Sequence, residues 1–166
     1  MEPNPPTPNE PPSPKRKRPR VLLVDDNQAW RVVVGHMLLE DYELLLAADG
    51  AEAVEWLREK SIDLLLSDVD MPHMDGVALT FHTTKEFKVP VTVTQRLRAG
   101  RVPPILLVTG LEMDDPRVKE ALKAPNIVGV FHKPVDMPVL KEAIRLTLEG
   151  DHEGARKLAN RSPGRP

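Results

Sequence analysis

The sequence predicts an α/β fold in which a five-stranded parallel sheet lies between layers of helices. Short apolar runs alternate along the chain with segments whose apolar residues recur at helical spacing, a pattern typical of parallel sheets. Most of these runs end directly in acidic, hydroxyl or basic residues. Because parallel strands bring their carboxyl ends to one edge of the sheet, those polar residues are predicted to lie together.

The strands are predicted from apolar runs that are too short for two helical turns. They occupy residues 21–24, 44–47, 64–67, 105–108 and 128–131. The first strand is followed by a predicted helix, whose apolar face contains Trp30, Val33, Val34, Met37 and Leu38.

Further helices are marked by capping residues. Asp49, three residues before Glu52, predicts a capping box, and the inward face that follows contains Ala53, Val54 and Leu57. Either Asp114 or Asp115 is the predicted N-cap of a helix whose first turn contains Pro116. The last helix is predicted over residues 137–149 with a stop at Gly150, and its inward residues are Leu140, Ala143, Ile144 and Leu148.

The composition indicates one globular domain with tails. Of the 166 residues, 40% are hydrophobic and 29% are charged, which suits one sizeable core. The absence of cysteine excludes disulfides, thiolate nucleophiles and cysteine-ligated metals. Because the apolar runs are far shorter than the ~20 residues that span a bilayer, and the N-terminus has no signal-peptide core, we expect a cytoplasmic protein without membrane contact.

Two polar segments are predicted to flank the domain, which covers residues 20–150. Residues 1–19 are rich in proline and poor in aliphatic residues, so we expect a disordered basic tail. The formal net charge is -2, yet residues 1–20 contain five Lys/Arg and two Glu, or +3, which leaves -5 for the remainder. Nucleic-acid binding would therefore be confined to this basic tail, although such runs are more often solvated. Residues 151–166 are predicted to form a flexible C-terminal tail.

Polar side chains at the ends of four predicted strands form one candidate site. Asp25 and Asp26 end the first strand, Asp68 the third, Thr109 the fourth and Lys133 the fifth. Three carboxylates would repel each other and raise at least one pKa unless a cation lies among them, and their hard oxygens suit Mg²⁺. A lysine and a hydroxyl add the charge and the donor that phosphoryl transfer requires. Each residue alone would be an ordinary loop, strand or surface residue, but together they predict a phosphoryl-transfer site.

The motifs around these residues resemble a bacterial two-component response regulator receiver domain. They are VDDN at 24–27, SDVDMPHMDG at 67–76, VTG at 108–110 and HKP at 132–134. The resemblance covers about residues 20–150 and implies a doubly wound sheet in the flavodoxin-like order 2-1-3-4-5. We also expect a stand-alone receiver, since too few residues follow Gly150 to form an output domain.

The resemblance implies a role for each site residue. Asp68 corresponds to the phosphoacceptor, Thr109 to the hydroxyl that bonds the phosphoryl group, and Lys133, before a cis proline, to its cationic partner. The implied Mg²⁺ ligands are Asp25, Asp26, Asp68 and the backbone carbonyl of Asp70. The family takes its phosphoryl group from a sensor histidine kinase or phosphotransfer protein, and phosphorylation then switches a protein-binding face made by the fourth helix, fifth strand and fifth helix.

The same resemblance implies a regulatory domain, not an enzyme, whose chemistry is limited to its own phosphorylation and dephosphorylation. The downstream protein partner is left unidentified and homodimerisation is left open.

The chain departs from the family pattern at two places, and a further pair of positions bears on the lifetime of the phosphorylated state. Val130 stands where an aromatic ring is usual, so a rotating ring cannot report phosphorylation here. Between Gly76 and Ile105 lie 28 residues, about ten more than one helix and its loop require, which predicts an extended or broken third helix over residues 77–88 and 91–99. Leu111 and Asp70 occupy positions that flank the hydrolytic water in the family, and we expect slow self-hydrolysis because leucine cannot hold a water.

Two alternatives remain. A degenerate receiver that acts as a phosphorylation-independent interaction adaptor is consistent with Val130, but the complete set of site residues argues against it. A haloacid-dehalogenase-like phosphatase would require an Asp-x-Asp pattern, whereas Asp25 and Asp26 are adjacent.

Overall fold

The computed structural model describes residues 18–86 and 102–161, which form a parallel α/β sandwich. Its described strands are β1 (Arg20–Val24), β2 (Glu43–Ala47), β3 (Leu64–Ser67), β4 (Ile105–Thr109) and β5 (Ile127–His132). Its described helices are α1 (Gln28–Leu38), α2 (Gly50–Glu59), α3 (Gly76–Glu86), α4 (Pro116–Ala121), α5 (Met137–Glu149) and α6 (His152–Asn160). The order β2-β1-β3-β4-β5, with every pairing parallel, confirms the predicted doubly wound sheet.

The sheet is buried on both faces because alternate residues of each strand enter different cores. In β1, Leu22 and Val24 pack in the cluster that contains apolar residues of α2, α3 and α4. Val21 and Leu23 pack in the opposite cluster, with apolar residues of α1, α5 and α6. Continuous apolar runs are what such a doubly covered strand requires, since neither of its faces meets water.

Side-chain caps fix where the helices begin. The carboxylate of Asp49 accepts a hydrogen bond from the backbone N–H of Glu52, and the Glu52 side chain accepts one from the N–H of Ala48. The predicted capping box is therefore present, but the Glu52 side chain bonds the N–H of Ala48, one residue before the N-cap, and not that of Asp49 itself. Asp115, not Asp114, caps α4, whose first turn contains Pro116 as predicted.

One predicted core position differs in the structure. Val33 in α1 is 53% exposed, because the buried stripe of that helix passes through Val34, Gly35 and Leu38. In α5, Leu148 packs against the core as predicted although it is only partly buried. Thr147 beside it is fully buried, and its hydroxyl donates to the backbone carbonyl of Ala143. A threonine that satisfies its own hydroxyl within the helix can be buried at little cost.

The prediction of a flexible C-terminal tail is wrong for residues 152–160. They form α6, which is capped by Asp151 and packs on β5 and α5. Ala155 and Ala159 are buried, and Ala159 lies against Gly129 of β5, whose missing side chain leaves room for the helix to approach. A short helix of this kind is stabilised mainly by tertiary packing, which the sequence pattern did not reveal.

Two sequence predictions fall outside the described residues. They are the disordered tail, apart from residues 18 and 19, and the second segment of the third helix at 91–99. Where the structure describes the chain, Pro19 already belongs to the fold, since its carbonyl accepts a hydrogen bond from the N–H of Glu43. The helices in the described residues are each too short or too polar to cross a membrane.

Candidate functional site

The predicted site residues lie where β1, β3, β4 and β5 end. Backbone bonds continue the sheet just beyond the strands: the N–H of Asp25 donates to Ala47, that of Asp68 to Val24, and that of Lys133 to the carbonyl of Thr109. The positions of these side chains are therefore set by the sheet itself. This is the edge where parallel α/β sheets bind their ligands.

Three carboxylates form an acidic cluster at this edge. One oxygen from each of Asp25, Asp26 and Asp68 lies within 4.8 Å of the others. Asp25 and Asp68 are buried, at 1% and 7% exposure, whereas Asp26 is exposed. Two buried acids and one exposed acid make a site that is closed on the protein side and open toward solvent.

Lys133 neutralises part of this negative charge. Its Nζ lies 2.6 Å from Asp25 Oδ2 and 3.0 Å from Asp68 Oδ2. Burial lowers the pKa of Lys133, but its hydrogen bonds to the two carboxylates more than offset this effect, so the net pKa is raised. The lysine therefore remains a cation at the position where a phosphoryl group on Asp68 would need one.

The pKa of Asp25 is raised, in the direction that the sequence predicted for at least one acid of the cluster. Its main cause is burial rather than repulsion between carboxylates, and the hydrogen bond from Lys133 works against it. A buried carboxylate with a raised pKa is one that a bound cation would stabilise in its charged form.

Asp68 is held by the backbone that follows it. Its Oδ1 accepts a hydrogen bond from the N–H of Val69 at 2.6 Å and one from the N–H of Asp70 at 3.2 Å. Its Oδ2 faces Lys133. One oxygen is thus oriented by backbone donors and the other by a cation, which fixes the carboxylate at the mouth of the site.

The loop after Asp68 depends on a glycine. A side chain at Gly76 would overlap the backbone carbonyl of Asp68, while the Gly76 N–H donates to the carbonyl of Val69 at 2.9 Å. His73, within the loop, has a φ of 64°, in the left-handed region that is uncommon for residues with a side chain. The turn back toward the sheet therefore requires glycine at position 76.

Thr109 and Asp70 lie beside the cluster. Thr109 is fully buried, and its hydroxyl accepts a hydrogen bond from the N–H of Leu111 at 3.2 Å. Asp70 points its carboxylate to Arg117 of α4, with 2.8 Å between Oδ1 and Nη1. The implied roles of the Thr109 hydroxyl toward a phosphoryl group, and of the Asp70 carbonyl toward Mg²⁺, stay predictions. The peptide bond between Lys133 and Pro134 is cis, as the resemblance implied.

Three further residues touch the site without having been predicted from the sequence. Arg31 donates to the backbone carbonyl of Asp25 at 2.6 Å, Arg117 binds Asp70, and the ring of Trp30 lies 4.9 Å from the ammonium of Lys133. Trp30 was assigned to the inward stripe of its helix, and its ring is only partly buried there. No spacing rule connects these residues to the strand ends, because they reach the site from helices.

The oxygen ligands present fit Mg²⁺. Carboxylate oxygens are hard ligands, the cluster offers one from each of three residues, and the exposed side of Asp26 leaves room for water or a phosphoryl oxygen. The Lys133 ammonium is bonded to the two buried acids of the cluster.

Comparisons with known proteins agree with this geometry. The family model described as the response regulator receiver domain matches residues 21–145. The chemotaxis protein CheY of Halobacterium salinarum is 33% identical over 126 residues, covering 75% of this chain and 92% of that protein. The transcriptional regulatory protein ZraR of Salmonella typhimurium is 32% identical over 143 residues, which are 86% of this chain but 29% of that protein.

The fold has close structural relatives. A CheY-like response regulator receiver domain protein from Methanospirillum hungatei aligns with a TM-score of 0.66 and 25% identity, covering 83% of this chain and 99% of that structure. The chemotaxis response regulator CheY4 of Vibrio cholerae aligns with a TM-score of 0.60 and 29% identity, covering 78% and 98%. The match removes the basis for the dehalogenase-like alternative. With the family model covering most of its length, the chain belongs to the response regulator receiver domain family of two-component signalling.

Proposed function

We propose that this protein accepts a phosphoryl group on Asp68 and uses it to switch a protein-binding face. Receiver domains are phosphoacceptor domains that bind Mg²⁺ at an acidic cluster and pair with histidine kinases or phosphotransfer proteins. The observation that carries the proposal for this chain is the contact of Lys133 with Asp68 inside a cluster of three carboxylates. That arrangement holds the nucleophile and a cation side by side.

In the proposed reaction, an oxygen of Asp68 attacks the phosphorus of a phosphohistidine. The new P–O bond forms as the P–N bond breaks, and the leaving imidazole nitrogen keeps the electron pair of that bond. Lys133 stabilises the negative charge on the phosphoryl oxygens, and the N–H groups of Val69 and Asp70 hold the carboxylate in position. Bound Mg²⁺ would supply further positive charge to those oxygens, held by Asp25, Asp26, Asp68 and the Asp70 carbonyl.

The proposed donor is a sensor histidine kinase or a phosphotransfer protein, and the proposed output is a change in binding at the face of α4, β5 and α5. In this chain α6 packs beside α5 and against β5, so a partner would meet α6 at the border of that face. We further propose a cytoplasmic location, where such donors present their phosphohistidine.

A phosphorylation-independent adaptor is the second candidate. One observation favours it: Val130 is buried in the core under α4, where it cannot rotate as an aromatic ring would. Under this alternative, a partner would bind equally well to wild type and to the Asp68→Asn variant.

Labelling with acetyl phosphate tests the proposal, read by intact mass and by sensitivity to hydroxylamine. We expect one phosphoryl group per chain in the presence of Mg²⁺ and none in the Asp68→Asn variant. Asp26→Ala should weaken Mg²⁺ binding and therefore require more Mg²⁺ for the same labelling. Asp41→Asn is a matched control, because Asp41 also pairs with a lysine, Lys141 at 2.9 Å, but on the surface away from the cluster. Equal labelling of the Asp68→Asn protein would show that the acceptor is assigned wrongly.

A further inference from the structure

The ammonium of Lys133 meets an aromatic ring as well as two carboxylates. Its Nζ lies 2.6 Å from Asp25, 3.0 Å from Asp68 and 4.9 Å from the centre of the Trp30 ring. A cation within about 6 Å of an aromatic face is attracted by the ring, and tryptophan attracts it most strongly. The indole therefore borders the same ammonium that the proposed reaction uses.

The position of Trp30 is tied to the segment that carries the acidic cluster. The backbone N–H of Trp30 donates to the side chain of Asn27, the N-cap of α1, at 3.0 Å, and the backbone N–H of Asn27 donates to Asp25 Oδ1 at 2.8 Å. The ring is partly buried against the core beneath α1. Trp30 is thus anchored at its backbone by the turn that holds Asp25.

Both oxygens of Asp25 already accept a hydrogen bond. Oδ1 accepts one from the N–H of Asn27, and Oδ2 accepts one from the Lys133 ammonium. A divalent cation bound by either oxygen would draw charge from the carboxylate and leave less of it for the lysine. The ion pair between Lys133 and Asp25 would then weaken, although the proposed reaction needs Lys133 beside Asp68.

A lysine side chain has four rotatable bonds, so it can swing away once a partner is lost. The Trp30 ring supplies no oxygen ligand to Mg²⁺, so its attraction for the Lys133 ammonium does not depend on what Asp25 binds. We propose that Trp30 is a positioning residue, which keeps the Lys133 ammonium next to Asp68 while Asp25 binds Mg²⁺. This inference rests on the proposed phosphoacceptor function and adds a helix residue to its machinery.

Substitution of the ring tests the role. At saturating Mg²⁺ we expect Trp30→Leu to slow labelling by acetyl phosphate about fivefold, the size of one cation–π contact. Trp30→Phe keeps a weaker aromatic face and should fall between Leu and wild type. The Mg²⁺ dissociation constant, measured by NMR titration, should change less than about twofold, since Trp30 supplies no oxygen ligand.

A spectroscopic measurement separates positioning from packing. The chain has two tryptophans, so protein labelled with 5-fluorotryptophan gives two ¹⁹F signals. Trp56 is the internal control, because its indole N–H donates to the carbonyl of Leu46 in another part of the fold. We expect the Trp30 signal to shift when Mg²⁺ and then acetyl phosphate are added, while the Trp56 signal stays, and we expect Trp56→Phe to label at the wild-type rate.

The outcomes are distinct. If wild type is labelled at Asp68 and Trp30→Leu is labelled equally fast, or if the Trp30 signal does not shift, the positioning role is wrong and the phosphoacceptor function stands. If Trp30→Leu loses labelling only in proportion to a loss of folded protein, the ring merely packs and the inference also fails. A wild-type protein that takes no label overturns both proposals together.

Discussion

The contact between β5 and α6 can be tested by adding and removing single methyl groups. In the structure, a Cβ atom added at Gly129 would lie 2.9 Å from the Cβ of Ala159, whereas carbon atoms normally approach to about 3.5–4.0 Å. Gly129→Ala should therefore push α6 away from the strand. Ala159→Gly removes the methyl group that the new side chain would meet, so the double variant should restore the fit.

The expected energies follow from known costs. Overpacking a core costs about 1–3 kcal/mol, and replacing glycine regains about 0.4–1 kcal/mol through the unfolded chain, so Gly129→Ala should lose about 1–2 kcal/mol. Ala159→Gly should lose about 2 kcal/mol, from about 1 for helix propensity and about 0.8 for the buried methyl group. Because the clash is absent from the double variant, its loss should be at least about 1 kcal/mol smaller than the sum.

Urea unfolding of the four proteins measures these differences. Gly110→Ala is the matched control, because an added Cβ there meets no described atom within 4 Å, and it should leave stability nearly unchanged. Additive losses in the double variant would mean that residues 129 and 159 are not in contact in solution, and the reasoning that places α6 on β5 would be refuted.

Three further predictions concern other parts of the chain. The hydrogen bond from the N–H of Glu52 lowers the pKa of Asp49, so the stability that the Asp49 carboxylate contributes is present at neutral pH and is lost as the pH falls through the lowered pKa. Asp49→Ala should therefore reduce the free energy of unfolding by about 1 kcal/mol at pH 7 and by less in acid. An equal loss at both pH values would contradict this. Leu111→Asn should speed loss of the phosphoryl group about two- to tenfold in a timed intact-mass assay, because it can hydrogen-bond the attacking water; an unchanged rate would show that position 111 does not control that water. Removing residues 1–17 should leave the melting temperature nearly unchanged, whereas removing residues 1–19 should also lose the Pro19 bond to the sheet and about 1 kcal/mol; a large drop on the first deletion would argue against a disordered tail.

The sheet and the acidic cluster were predictable because both follow from local patterns. Each apolar run became a strand within a residue or two of its predicted bounds, and β3 matches at both ends. Once the strands are parallel, the residues after them must meet, so Asp25, Asp68 and Lys133 came together without any knowledge of their contacts. Sequence reasoning succeeds here because one geometric rule acts on every strand.

The missed helix α6 has a different cause. It is polar overall, the residues that it buries are alanines, and Ala159 packs on a glycine in a strand that looked ordinary. Two local signals were overlooked: Asp151, which caps the helix, and the helical spacing of Ala155, Leu158 and Ala159. Small side chains that fit each other carry much packing information and little hydrophobicity, so an argument that weighs apolar content passes over a helix whose periodicity is present.

Because Val130 stands where the family usually has an aromatic ring, a change of charge at Asp68 must affect α4 by another route. The structure contains a chain of contacts between the two. Arg117, in the first turn of α4, binds Asp70, and the N–H of Asp70 donates to the carboxylate of Asp68. Arg117 also binds Asp115, the N-cap of the same helix, and that bond lowers the pKa of Asp115. The pair between Arg117 and Asp70 is largely exposed, so it adds little stability and is screened by salt. The pair therefore contributes orientation more than stability. It connects the start of α4 to the loop that contains Asp70, and a phosphoryl group on Asp68 would lie next to that loop.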